Sequence, residues 1–301
     1  MRHPRLLRAA AAIAVGCSLL ATASCSAGSA DADDPTDRLS IVAGLYPLQF
    51  VAERVGGDAV QVTNLTKPGA EPHDLELAPQ DVATLSEADL ALYLGGLQPA
   101  VDAAVDGSST PSLDVSDAAD LSLTSPDGAV DPHFWLDPMR LADVADAVAD
   151  ELAALDPEAA DTFEANAKAL RSDLRTLDAS FRTGLESCDS RLLVTSHEAF
   201  GYLADAYDLE QVGLTGLTPE SEPTPAELAE LTDLVRDNDV TTVFYETLVS
   251  PDVAETVANA AGVETAVLDP IEGLTDATAG ETYLDLMDAN LHALRTGLRC
   301  S

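Results

Sequence analysis

The sequence predicts an α/β protein of two lobes, each a parallel β-sheet flanked by helices, joined by one long rigid helix. Three observations carry this. Short apolar or β-branched runs alternate with helical periodicity in the first half, at 39–45, 60–65, 90–94 and 112–115, and strands alternating with helices imply parallel sheets covered on both faces. The second half repeats the plan with runs at 192–195, 211–214, 241–245 and 265–268, separated by helical patterns near 199–207, 225–236 and 253–261. Between the halves lie only helical stretches, 139–155 and 157–185. The second carries Phe163, Ala167, Leu170, Leu174, Leu177 and Phe181 at a three-to-four spacing, which is one packed face along a single helix. Asp156 as cap and Pro157 at the first helical position predict where it starts. The organisation read from this is a leader at 1–24, a tether at 25–38, an N-terminal lobe at 39–155, a linking helix at 156–187 and a C-terminal lobe at 188–301.

Arg2, Arg5 and Arg8 precede an apolar run at 9–20 and then small residues up to Cys25, the plan of a secretory signal. That run is too short to span a bilayer. The stretch Ala21-Thr22-Ala23-Ser24-Cys25 resembles the lipobox of bacterial lipoproteins, with Thr22 in place of the usual Leu, and implies lipidation of Cys25 at the outer face of the cytoplasmic membrane. Cleavage at Cys17 would remove half the apolar run, and ordinary cleavage would give a soluble periplasmic or secreted chain. Lys+Arg number 15 against 53 Asp+Glu, a formal net charge of −38, which excludes nucleic acid as a natural partner. Scattered acids of this kind form a solvated surface, so selective metal binding has to come from specific ligands. With Cys17 and Cys25 in the targeting segment, Cys188 and Cys300 remain as one pair, and a disulfide is expected in an oxidising compartment. The alternative is two free thiols on a metal.

Beyond the leader the histidines are His73, His133, His197 and His292. His73 and His133 lie in loops and His197 closely follows the run 192–195. In parallel α/β folds the loops at the carboxyl ends of strands gather round the ligand, so these loops can converge on a metal site in the interlobe cleft. Asp269, just after another run, is a candidate fourth ligand. Three imidazoles and one carboxylate oxygen suit tetrahedral Zn²⁺, whereas manganese or calcium prefer more oxygen. By spacing alone the same residues could be three unrelated loop histidines. His292, beside Leu291 on the last amphipathic stretch, reads as a helix residue.

Four segments, Gly69-Ala70-Glu71-Pro72-His73-Asp74, Asp131-Pro132-His133-Phe134-Trp135-Leu136-Asp137-Pro138, Thr195-Ser196-His197-Glu198-Ala199-Phe200-Gly201-Tyr202 and Leu268-Asp269-Pro270-Ile271-Glu272-Gly273, resemble the signature regions of the zinc and manganese solute-binding proteins of ABC importers. The resemblance implies His73, His133, His197 and Asp269 as ligands of one Zn²⁺ per chain, and a permease in the cytoplasmic membrane as partner. It departs from the family in two places. His197 stands where manganese members commonly have Glu, which favours zinc and leaves Glu198 a neighbour. The segment 120–131 contains no histidine, unlike the His-rich loop of many zinc members. Glu246, at another strand end, could orient a ligand histidine; Trp135 reads as packing or as a shield against water.

The function expected is capture of Zn²⁺ outside the cytoplasm and delivery to an importer, by a monomer that is not an enzyme, with a zinc metallochaperone as a possible further partner. Two rivals stand beside it. A zinc hydrolase would need an open fourth position and a base, for which Glu198 is the candidate. A surface adhesin or zinc buffer would use the same site without an importer. Since the imidazoles must be neutral to coordinate, protons should compete as pH falls through roughly 6.5.

Overall fold

The computed structural model describes residues 38–125, 128–219 and 223–301. The leader with Cys17 and Cys25, and the tether up to Asp37, lie outside the described residues.

The first half runs β1 (Leu39–Ala43), α1 (Tyr46–Gly56), β2 (Val60–Asn64), α2 (Pro79–Glu87), β3 (Leu90–Tyr93), α3 (Pro99–Asp106), β4 (Ser112–Asp114) and α4 (Ser116–Ala119). Two long helices follow, α5 (Pro138–Leu155) and α6 (Ala160–Gly184). The second half runs β5 (Leu192–Thr195), α7 (Gly201–Ala206), β6 (Glu210–Gly213), α8 (Pro225–Asp237), β7 (Thr242–Tyr245), α9 (Asp252–Ala261), β8 (Glu264–Val267) and α10 (Tyr283–Gly297). Each half forms a four-stranded sheet, in the orders β2-β1-β3-β4 and β6-β5-β7-β8, and every pairing is parallel. The strand order reverses between β1 and β3 and again between β5 and β7. Those are the switch points where loops splay apart and leave a crevice.

The apolar stripe of α6 is the buried face expected from its spacing: Phe163, Ala167, Leu170, Leu174, Leu177 and Phe181 are all buried. This face packs on α1 of the first half, on α5, and on α10 of the second half. Asn166 donates to the Val55 carbonyl at 2.9 Å, and Gly184 lies against Leu291 and Arg295 of α10, leaving no room for a side chain there to stand without shifting them. One apolar core runs through both halves, from Ile41 and Leu92 through Phe50 and Tyr283 to Phe244 and Leu294, and residues 38–301 form one compact unit. Helix α6 begins later than its sequence signals imply. Asp156 accepts from the backbone N–H groups of Glu158 at 3.1 Å and Ala159 at 3.3 Å, so Pro157 sits in a turn and the helix starts at Ala160. Among the described residues no helix is long and apolar enough to cross a membrane.

Cys188 and Cys300 are bonded across 112 residues, in a short antiparallel bridge that ties the end of α10 to the segment before β5. In the chain-entropy account a loop of that length contributes up to about 4 to 5 kcal/mol. We expect the Cys188→Ser, Cys300→Ser double variant to melt at a lower temperature than the parent by circular dichroism. An unchanged midpoint would mean that the packing of α10 alone holds this end.

Candidate metal centre

The loops at the strand ends bring together His73, His133, His197 and Glu272, one potential ligand atom from each lying within 4.8 Å of the others. His73 comes from the loop after β2 and His133 from the segment before α5. His197 stands two residues past β5, and Glu272 lies on the loop after β8. The three rings are mutual neighbours, with centroids 5.4 to 6.2 Å apart. Glu272 Oε1 is the atom they share, 3.0 Å from His133 Nε2, 3.4 Å from His197 Nε2 and 3.5 Å from His73 Nε2. Among the described residues the three Nε2 atoms have no partner other than this carboxylate oxygen, and all are buried.

Each histidine is held by its backbone or by its other nitrogen. Asp131 Oδ1 accepts from the His133 backbone N–H at 2.9 Å and meets the ring Nδ1 at 2.8 Å. Glu246 Oε1 lies 2.7 Å from His197 Nδ1 and accepts from Ser196 Oγ at 2.8 Å. The meeting of these two follows from topology, because β5 and β7 are the adjacent strands at the switch point and deliver His197 and Glu246 from neighbouring ends. A carboxylate on Nδ1 favours the Nδ1–H tautomer and leaves the Nε2 lone pair facing the centre. Gln211 Nε2 donates to the His197 carbonyl at 3.1 Å. The His73 backbone N–H donates to Glu71 Oε1 at 3.1 Å, while Gln98, itself bonded to Thr66, reaches the Pro72 carbonyl. Trp135 packs edge-on to His133 with centroids 5.4 Å apart, and its Nε1 donates to the Pro270 carbonyl at 2.7 Å. That bond ties the His133 segment of the first half to the Glu272 loop of the second.

Asp269, expected as the fourth ligand, is not in this group. Its Oδ1 accepts from the Ile271 backbone N–H at 2.7 Å and its Oδ2 from Thr247 Oγ1 at 3.0 Å, and its own backbone is clamped by Asn290 on α10. The bond from Ile271 holds that residue at φ +57°, a left-handed conformation disfavoured for a β-branched side chain. This turn aims the next residue, Glu272, at the histidines. Asp269 is therefore the brace and Glu272 the inward carboxylate. The signal was legible: an Asp before Pro commonly bonds the backbone two residues on, which consumes it locally. Asp131 was likewise overlooked although it has the same Asp-Pro spacing. Glu198 and His292 lie outside the group, and Trp135 both packs and donates.

The electrostatics are those of a cation-seeking pocket. Burial alone would lower the pKa of His197, but hydrogen bonds and charge from Glu246 and Glu272 outweigh it and raise it to about 10. His133 is raised as well, Asp131 and Glu272 overcoming its burial. Burial would push Glu272 up, yet the three imidazoles hold it well below the usual carboxylate range. Burial raises Asp269 despite its two donors.

Residues 41–297 match the family model described as ZnuA, zinc-uptake complex component A periplasmic, and the chain belongs to that family. It is 30% identical over 299 residues to the high-affinity zinc uptake system protein ZnuA of Bacillus subtilis, covering 93% of this chain and 94% of that protein. It is 35% identical over 277 residues to the zinc-binding lipoprotein AdcA of Streptococcus pneumoniae, covering 86% of this chain. There it spans about half the length of the relative, 55%. The solved structure of the Zn(II)-bound ZnuA-like domain of Streptococcus pneumoniae AdcA superposes with a TM-score of 0.76 at 36% identity, over 87% of this chain and 99% of that one.

The raised His197 pKa has a stability consequence with a definite sign. A histidine whose folded pKa lies above its unfolded value of roughly 6.5 stabilises the fold fully below that value and loses the contribution as pH rises through the folded pKa. The metal-free protein should therefore lose thermal stability between about pH 7 and pH 10, and Glu246→Gln should flatten that decline. A midpoint independent of pH across this range in the parent would show that His197 is not held charged by Glu246 and Glu272.

Proposed function

We propose that this protein captures one Zn²⁺ per chain through His73 Nε2, His133 Nε2, His197 Nε2 and a Glu272 carboxylate oxygen, and delivers it to an ABC-type importer. The observation that carries the reading is the set of three buried Nε2 atoms around Glu272 Oε1, with no other partner among the described residues. Three nitrogens and one oxygen are a zinc donor set, and membership of the zinc-uptake family supplies the context. Zinc is the cargo. Its arrival replaces the protons that the carboxylates otherwise hold on the imidazoles, so loading couples to proton release. Asp131 and Glu246 orient two of the rings, and Asp269 positions Glu272 through the Ile271 turn. Delivery by a monomer to a permease, and export with lipidation at Cys25, complete the reading; the relative from Streptococcus pneumoniae is described as a lipoprotein.

Hydrolysis is the weaker reading, because four protein ligands leave no position for a reactive water and Glu198, its candidate base, is not in the group. Water-proton relaxation with Co²⁺ in the site separates the two: a rapidly exchanging bound water would favour the hydrolase.

Isothermal titration should give one tight site per chain. Glu272→Ala and His133→Ala should weaken zinc more than Asp269→Ala, for which a loss of roughly 10- to 100-fold fits removal of a positioning group. If Asp269→Ala proves worse than Glu272→Ala, the fourth ligand assigned here is wrong. Affinity should also climb as pH rises from about 6 to 9, since deprotonation of His197 extends to higher pH than that of a free imidazole. Equal affinity at both ends of that range would exclude the histidines as ligands.

A further inference from the structure

A second group of potential ligands shares Glu272 with the first. Glu71, Glu246 and Glu272 each place a carboxylate oxygen within 4.8 Å of the others. Glu246 and Glu272 are each only 1% exposed. The zinc reading accounts for Glu272 Oε1, and the contacts to His197 and Ser196 account for Glu246 Oε1. Glu272 Oε2 and Glu246 Oε2 are left, both buried and without a hydrogen-bond partner among the described residues. Buried carboxylate oxygens of this kind are costly unless a proton donor or a cation meets them. Among the described residues no lysine or arginine forms an ion pair with Asp131, Glu246 or Glu272, so one Zn²⁺ leaves their summed charge only partly offset. A cavity of about 590 Å³, lined in part by Gly69, Tyr245, Glu246, Thr247 and Thr275, reaches Glu246. It is distinct from the cavity of about 520 Å³ that reaches His73.

We propose that Glu71, Glu246 and Glu272 form a second cation subsite, in which Glu272 bridges the two ions, Oε1 toward zinc and Oε2 toward a hard divalent cation. The proposal rests on the zinc reading above, since it takes Glu272 Oε1 as a zinc ligand. An all-carboxylate donor set with no nitrogen or sulfur suits Mn²⁺, Mg²⁺ or Ca²⁺ better than Zn²⁺. Carboxylate-bridged pairs of metal ions about 3.5 to 4 Å apart are an established arrangement in proteins. The cavity at Glu246 gives this subsite its own route to solvent, separate from the His73 side.

The test uses the full chain loaded with zinc, its zinc content fixed by elemental analysis before anything else is added. Failure to hold one zinc at that stage refutes the functional reading and is seen independently of the second step. Mn²⁺ is then titrated in, and the free ion is followed by electron paramagnetic resonance. The parent should take up one Mn²⁺ per chain in a saturable phase, with the zinc retained. Glu71→Gln and Glu246→Gln, each compared at full zinc loading, should weaken that phase by at least about tenfold. Mn²⁺ uptake that is only weak and unsaturable, that expels zinc stoichiometrically, or that survives both substitutions unchanged overturns the proposal. The two variants sit on different loops, so a folding defect in one leaves the other to decide.

Discussion

A fully buried carboxylate facing three imidazoles is the constraint on which the rest of the structure depends. Among the described residues Glu272 has no ion pair with arginine or lysine, and its ion-pair contacts are to histidine nitrogens. Such a group is tolerable only if its surroundings are rigid and the opposite charge is always supplied, by protons when the centre is empty of metal and by the ion when it is loaded. Everything around it serves that condition. Asp131 and Glu246 grip two rings from behind, Asp269 fixes the turn that presents Glu272, and Trp135 bolts the loop of one half to the loop of the other.

The loops achieve this with a repeated local device. Wherever an acid precedes proline at Glu71, Asp131, Asp137, Asp156 and Asp269, its side chain accepts the backbone N–H two residues on. Proline has no N–H to offer, so the next one along is the nearest donor, and the residue before proline is already extended. Three of these turns lie in the loops that present His73, His133 and Glu272. The other two start α5 and delay α6.

The strands were legible as short apolar runs, because the central ones are covered on both faces, and the face of α6 was legible from its three-to-four spacing. The three histidines stood out because His73 and His197 follow strands and all three lie in segments that resemble those of a known family. Asp269, the carboxylate the sequence points to, lies apart from the three imidazoles for a physical reason. Asp269 is nearer the strand and looks better placed, but Ile271 and Thr247 engage its two oxygens, while Glu272 gains its position from the left-handed Ile271, which no pattern of residue types announces. The start of α6 was misplaced by the same effect, since Asp156 spends its carboxylate on a proline turn rather than on a cap. The continuous core through α1, α6 and α10 has a mechanical corollary. Swinging one half away from the other would expose the apolar surface of that core, which opposes a wide opening between them.

The tryptophan described at the centre is the only one in the chain. It is fully buried, lies against the ring of His133 and donates to the loop that carries Glu272. A charged imidazolium at an indole edge and a metal-bound neutral one are different neighbours for an excited state. Its intrinsic emission is thus a built-in optical gauge of what the pocket holds, readable without attaching a dye.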